Sequence, residues 1–371
     1  MIVVGAGVVG LAIADELTRR GVGVEVFERN SSVASESSWA AAGILDPAGA
    51  DGPGPLLELL RVGYPLVVEM VRRLETITGL NLGFRACGML ALALTAQDAQ
   101  DLESELSWQS GAGMAVERLD STEIRKAEPA LDGPVRWGLW WPQAAQIDVT
   151  RLGPAYQRIV ELQGGLIRRD APVHHFLVEG NRTVGVETSE GKVYADRVVN
   201  AAGAWAGLDP LLPWSIPTLP VRGQIIQFLT KQPIIQRIVR SPRAYLVQRS
   251  PERLIAGTTV ERVGYDKSVT EEGQEIIRRG AGELCSRLRG IPPETAWAGL
   301  RPDTPDHLPI LGTTPLDGLL AAVGHFRNGI LLAPLTGRLI ADLVTRGSCS
   351  LDLSAFRLSR FLAKSTEDVV K

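Results

Sequence analysis

Three glycines in the pattern Gly5-x-Gly7-x-x-Gly10 constrain what this chain can fold into more than any other feature. The apolar, β-branched residues 1–4 before them read as a buried parallel strand. Residues 10–20 after them read as a helix with Leu11, Ala14 and Leu17 at helical spacing. Gly21 stops that helix, and residues 24–27 form a second strand that ends at Glu28. Strand, glycine turn, helix and strand make a βαβ unit. The first glycine permits the tight turn, the second lets backbone approach a pyrophosphate, and the third lets helix and strand pack closely. The helix N-terminus offers amides to phosphates, and Glu28 is placed to accept hydrogen bonds from ribose hydroxyls. A bare structural turn is the competing reading, and the acid at the end of the second strand weighs against it.

The charge balance narrows the partners. With 39 basic against 42 acidic residues, and no basic run longer than pairs such as Arg19-Arg20 and Arg278-Arg279, no positive surface is available for nucleic acid or for a membrane. Cys87, Cys285 and Cys349 are widely spaced and odd in number. They suggest a reducing compartment and offer neither a disulfide framework nor a metal cluster. No apolar run approaches the roughly 18 residues of a membrane span, and the apolar N-terminal stretch lacks the basic flank of a signal peptide. The expectation is a cytoplasmic protein.

A length of 371 residues suits two domains. Residues 46–55, rich in Gly, Pro and Asp, read as a mobile loop, and a long amphipathic helix is expected over 56–78. Strand 88–94, helix 96–105 and the tryptophans 137, 140 and 141 follow, the last read as a domain or subunit interface. A helix over 150–163, a strand over 165–168, a hairpin of 184–188 with 192–194, and a buried strand over 197–200 restore α/β character. Strands 224–228, 244–247 and 254–258 and a helix over 271–288 form a second meander, before strand 319–323 and helix 329–346. The fold class is α/β: a Rossmann-like domain with an inserted α+β substrate domain built on a mostly antiparallel sheet. Residues 1–80, 146–214 and 297–371 form the first, and 81–145 with 215–296 form the second.

Other segments choose the dinucleotide. Ser37-Ser38-Trp39-Ala40-Ala41-Ala42-Gly43 supplies hydroxyls, then tiny side chains that let backbone approach a flat ring; a helix N-cap is the plainer reading. The strand leading into Asn200-Ala201-Ala202-Gly203-Ala204-Trp205 ends in small residues, as expected beneath a cofactor. Gly324-His325-Phe326-Arg327-Asn328-Gly329 precedes a helix whose dipole favours an electron-rich ring edge. Together with Trp297-Ala298-Gly299-Leu300-Arg301-Pro302, these segments resemble the D-amino-acid oxidase superfamily of FAD-dependent oxidoreductases, and within it the bacterial glycine oxidases of thiamine biosynthesis. The resemblance runs in consistent order from residue 1 to about 345.

That resemblance implies a set of roles. Arg301 forks the substrate carboxylate, Arg327 lies beside substrate and flavin, and Tyr245 covers the carboxylate side. Gly5, Gly7, Val8, Val9, Gly10, Glu28, Arg29, Ser37, Ser38, Ala42, Gly43, Ile44, Gly203 and the turn His325, Phe326, Arg327, Asn328, Gly329, Ile330, Leu331 hold FAD, with Val173 meeting the adenine through its backbone. No cysteine stands just after Trp297, so the FAD is expected to be non-covalent, and no metal is expected. The implied reaction is oxidative deamination of glycine and other small amines or amino acids, by hydride transfer from Cα to flavin N5. It gives an imine, hydrolysed to glyoxylate or a 2-oxo acid and ammonia, and hydrogen peroxide from dioxygen, in the service of thiamine thiazole synthesis. A homotetramer is also implied. Where glycine oxidases carry a histidine and a methionine near the substrate, this chain has Arg243 and Val260, which leaves side-chain specificity open. Sarcosine, D-proline or another D-amino acid as substrate, quinone as acceptor, a flavin-binding protein without chemistry and an NAD-binding module remain as alternatives. His174-His175 reads as surface, and His325 as cofactor packing.

Overall fold

A computed structural model describes residues 1–362, so residues 363–371 of the expected FAD-binding domain lie outside the described residues. The six-stranded sheet at its centre runs in the order Ile310–Thr313, Leu319–Val323, Val198–Asn200, Ile2–Val4, Glu25–Phe27, Leu166–Arg168. Every neighbouring pair is parallel except the first. Its strands are apolar runs such as Ile2-Val3-Val4 and Leu319-Leu320-Ala321-Ala322-Val323, as a sheet covered on both faces requires. From Ile2–Val4 the chain first builds outward to Glu25–Phe27, then later on the other side with Val198–Asn200. That reversal opens a crevice at the carboxyl ends of the strands, where such sheets bind ligands.

Two helices begin at this crevice. Val8–Arg19 starts two residues earlier than the sequence pattern suggests, because Gly7 already serves as its N-cap. Gly329–Arg346 packs along it so closely that a Cβ on Gly337 would lie 2.5 Å from the Ala12 carbonyl oxygen. Leu11, Leu17, Leu335, Leu339 and Ile340 bury there with the helices Pro55–Thr78 and Val149–Leu162.

An eight-stranded sheet roofs the crevice, in the order Thr295–Asp303, Leu219–Leu229, Arg253–Gly257, Tyr245–Ser250, Ile238–Arg240, Met89–Ala93, Trp137–Trp141, Glu117–Asp120. It is antiparallel apart from Ile238–Arg240 beside Met89–Ala93. Period-two alternation sorts its faces. Leu90, Leu92, Ile226, Leu246 and Leu254 bury outward against the helix Glu271–Leu284. Met89, Ala91, Ile225, Val247 and Ile255 face inward, toward Ala42 and Ala48 of the chain around the crevice.

Several expectations are corrected. The helix expected over 271–288 ends at Leu284, because Cys285 is extended and Ser286 N donates to Asp132 Oδ1; a 3-10 turn, Ser286–Gly290, takes over. The helix expected over 96–105 opens with a capping box at Thr95 and runs to Gly111, and the chain turns away after Ala112 at Gly113, with φ +70°. The hairpin of 184–188 with 192–194 gains a third strand, Val173–Glu179. The loop 46–55 is packed over its first half, where Asp46 accepts from Ala48 N at 2.8 Å and Ala48 and Ala50 are buried, and is exposed at Asp51, Pro53 and Gly54. Trp137 and Trp141 face the inner side of the roof, where it meets Ala42 and Ala48. Trp140 lies across Gly88, leaving no room for a Cβ there.

The turn before Gly329 is tied to its own helix by a buried hydrogen bond between His325 Nε2 and Thr336 Oγ1 at 2.9 Å. Burial pushes the imidazole from its ordinary 6.5 down to about 4. The native state therefore keeps the ring neutral where the unfolded chain takes up a proton. The stability this contributes is complete above pH 6.5 and is lost as pH falls toward 4. Urea denaturation across that window will show a decline that His325→Gln lacks, on the order of 3 kcal/mol; equal slopes in both proteins contradict the assignment. Gly337→Ala will lower stability by about 1–3 kcal/mol through the helix clash, read as a drop in the thermal midpoint.

Candidate active site

A cleft of about 830 Å³ lies between the carboxyl edge of the central sheet and the inner face of the roof. At its deep end a Cβ on Gly5 would sit 2.7 Å from Ala201 O, and one on Gly10 would sit 2.0 Å from Gly5 O. A Cβ on Gly7 would meet only Ser38 Oγ, at 3.6 Å. Gly5 and Gly10 thus serve close packing, and Gly7 leaves its side open to the cleft. Ser38 Oγ accepts from Val8 N at 3.0 Å. The helix Val8–Arg19 has no side-chain cap and no acid in its first turn, and the helix Gly329–Arg346 shares both properties. Two sets of first-turn amides therefore face one cleft with no protein anion to receive them, which suits a group with phosphates at one end and an electron-rich ring at the other. Glu28 is buried; its Oε2 accepts from Ala6 N at 2.8 Å and its Oε1 from Asn30 N at 2.9 Å. The carboxylate knits the glycine turn together while each oxygen keeps acceptor capacity. Arg29 lies over the Trp205 ring at 3.6 Å and pairs with Glu36 at 2.6 Å.

The other expected cofactor residues, Val9, Ser37, Ala42, Gly43, Ile44, Val173, Gly203 and the turn from His325 to Leu331, line the same cleft; Gly10 alone of the set stands behind it. Gly43 has φ +83°, and a Cβ there would lie 2.0 Å from Ile147 O. Phe326, also at positive φ, donates its N–H to Pro302 O at 2.8 Å, which fastens the turn to the strand carrying Arg301. His174 is exposed, and His175 Nδ1 lies 3.1 Å from Asp209 Oδ1.

At the roof end the strand register assembles a pocket from residues distant in sequence. Tyr245 pairs with Gly257, Ile225 with the same Gly257, and Val221 with Arg301. A Cβ on Gly257 would strike the Tyr245 phenol, and one on Gly223 would strike the Arg301 guanidinium. Each glycine is the bed on which a functional side chain lies. Arg301 Nη2 donates to Thr258 Oγ1 at 2.8 Å and Nη1 to Thr259 O at 3.3 Å. Thr258 in turn donates to Gln224 O at 2.9 Å. Burial pulls the Arg301 pKa below that of a free guanidinium, with Tyr245 opposing and Arg327 adding to the shift; a guanidinium stays charged under this pressure. Burial likewise raises the Tyr245 phenol, against the pull of Arg301 and the hydrogen bond with Thr258. Arg327 is exposed to the cleft and lies 4.9 Å from the Phe326 ring centre. Among the described residues, neither Arg301 nor Arg327 has a carboxylate within ion-pair distance.

Gly223, Gly257, Thr258 and Thr259 escaped the sequence reading, since nothing in a meander of short strands announces which glycines will lie under which side chains. Asp46, whose carboxyl burial pushes up, also lines the cleft. Arg243 lines it too, but its guanidinium pairs with Asp98 and Glu283 at 3.1 Å each. Val260 stands 56% exposed at the rim.

Comparison with known proteins agrees with this geometry. The DAO family of FAD dependent oxidoreductases matches residues 1–343. The chain is 34% identical over 353 residues to a glycine oxidase of Pseudomonas aeruginosa, covering 93% of this chain and 94% of that protein. It is 35% identical over 366 residues to the bifunctional protein ThiO/ThiG of a Nostoc species, covering 97% of this chain and 55% of that protein. The chain thus spans about half the length of such bifunctional relatives. The crystal structure of glycine oxidase from Geobacillus kaustophilus matches with a TM-score of 0.92 at 32% identity, over 97% of this chain and 98% of that one. A dinucleotide cleft with two uncapped helix N-termini, under an antiparallel roof that carries an unpaired arginine, goes with the family match over nearly the whole chain: this protein belongs to the DAO family of FAD-dependent oxidoreductases.

Proposed function

We propose that this protein oxidises small amino acids, glycine foremost, to the corresponding imine. The observation that carries the reading is Arg301: a largely buried guanidinium at the cleft, seated on Gly223, with no carboxylate partner among the described residues. A buried cation left unpaired is costly, and a planar fork of donors suits one partner above others, a carboxylate held bidentately. Arg327 adds positive potential, and the neutral Tyr245 phenol supplies a hydrogen-bond donor beside it. The substrate is therefore an α-carboxylate small enough to share the roof end of the cleft with a flat ring.

The glycine turn, the 37–44 segment and the 325–331 turn would hold FAD, which when bound would supply a two-electron oxidant for a hydride from Cα. The side chains handle binding and orientation. Arg301 fixes the carboxylate, which presents Cα toward the interior, and the roof strands exclude water from the reacting face. The amine must be neutral for its lone pair to assist, and none of the groups around Arg301 is a carboxylate poised to take its proton, so we assign that proton to solvent. Glycine, water and dioxygen would then yield glyoxylate, ammonia and hydrogen peroxide. Resemblance to the glycine oxidases of thiamine biosynthesis supports placing this product in thiazole synthesis. We also assign substrate recognition to the roof and FAD binding to the central sheet, with the FAD held non-covalently.

Anaerobic addition of glycine to the yellow holoprotein will bleach its visible flavin absorbance at lower concentration than sarcosine or D-alanine. Bleaching by a bulkier amine alone moves the substrate, and bleaching by none of them refutes the reading. Arg301→Ala will raise KM for glycine on the order of 100-fold, as loss of charge-assisted bidentate bonds requires, while FAD stays bound. Unchanged turnover at low glycine overturns the assignment of Arg301.

A further inference from the structure

We infer that Arg249 is a positioning residue for the flavin site: it grips two backbone carbonyls from behind and so aims the next two N–H groups into the cleft. Arg249 Nη2 donates to Ala41 O at 2.9 Å and reaches Ala42 O at 3.4 Å. In a planar trans peptide the carbonyl and the following N–H point in opposite directions. Turning the Ala41 and Ala42 carbonyls toward Arg249 therefore turns the Ala42 and Gly43 N–H groups away from it. Both residues are buried and line the cleft, whereas Arg249 does not. Neither N–H has a protein acceptor among the described residues. Buried donors without partners are rare and cost about 1–3 kcal/mol each, so two adjacent ones at a cofactor cleft mark a place for a ligand acceptor, a ring nitrogen or carbonyl oxygen.

Three further features show that this arrangement is built. Strand pairing slips between Gln248 and Ser250, which leaves Arg249 as the extra residue of a β-bulge, a device that re-aims a side chain near a site. The side chain is 8% exposed and lies 3.9 Å from Asp148 Oδ1, while its buried Nε has no hydrogen-bond partner. Gly43 has φ +83°, and a Cβ there would lie 2.0 Å from Ile147 O, so the turn at this peptide takes glycine. Arg249 thus places a buried positive charge behind the two peptides, and their N–H groups carry that polarity to the cleft, favouring electron density on whatever ring edge lies there. The role rests on the FAD site and not on the choice of substrate.

The test compares Arg249→Met and Arg249→Lys with the parent holoprotein. The readouts are the FAD dissociation constant, the visible spectrum and midpoint potential of bound FAD, and the thermal midpoint of the apoprotein. None involves an amino-acid substrate, so a wrong substrate leaves them untouched. Arg249→Met is expected to weaken FAD binding about tenfold or more, the loss of one charge-assisted hydrogen bond, to alter the spectrum and to make the potential more negative. Arg249→Lys is expected to recover part of each. Unaltered affinity, spectrum and potential in Arg249→Met, whatever the thermal midpoint does, would reduce Arg249 to a strut and overturn the proposal. If Arg249→Met does not fold, Arg249→Lys and Asp148→Asn decide, the latter because asparagine caps the following helix as well as aspartate does. A shifted potential in either supports the role, and an unshifted one in both overturns it.

Discussion

Backbone touching backbone at the glycine turn is the constraint from which the rest of the structure follows. Gly10 comes so near Gly5, and Gly5 so near Ala201, that a single methyl group at either would force strands and helix apart. That approach brings the N-terminus of one helix to the carboxyl edge of the sheet. The equally tight seating of Gly337 against Ala12 brings a second helix alongside it. Both helices are uncapped where they meet the cleft. Ser38 Oγ takes the Val8 amide, and the remaining first-turn amides have no protein anion to receive them, which leaves the cleft suited to a cofactor that would complete the fold's hydrogen bonding.

The roof solves a different problem, which is how to hold positive charge in a partly dry place without neutralising it. Arg301 lies on the open backbone of Gly223, and hydroxyl and carbonyl groups of Thr258 and Thr259 take some of its donors. Neutral acceptors orient the guanidinium and leave its charge for an incoming anion. Arg243 shows the contrast: on the same side of the cleft it is spent on Asp98 and Glu283, so it adds little net potential. Arg249 is an intermediate case, buried near one carboxylate but too far from it for a close pair, with Nη2 given to backbone carbonyls. Three arginines around one cleft thus differ in role because they differ in partners.

Much of this was legible before any coordinates. The strand–turn–helix–strand with Glu28 announced the nucleotide site, because the physical demands on those positions are local: a turn needs glycine and a helix start needs free amides. The small residues of 37–43 and of 200–205 and the turn 324–329, all of which contribute to the cleft, were readable for the same reason, since backbone that lines a narrow cleft cannot carry bulk. Element ends were less legible. The helix over 271–288 stops early because Asp132, far away in sequence, captures Ser286 N. The first half of the loop 46–55 is packed because Ala48 buries against the inner face of the roof and Ala50 in the core of the central sheet.

Sequence alone therefore determined the α/β class, from the order of strand and helix patterns along the chain, and the dinucleotide turn, which is written in a few contiguous residues with a short-range physical cause. Tertiary structure decided what depends on register. Pairing of Tyr245 with Gly257, and of Val221 with Arg301, sets which glycine lies under which side chain, and a one-residue slip would turn every one of them to the opposite face. It also decided which charges stay free, since an arginine's partners come from strands and helices hundreds of residues apart, and no local pattern records whether a carboxylate will be there to meet it.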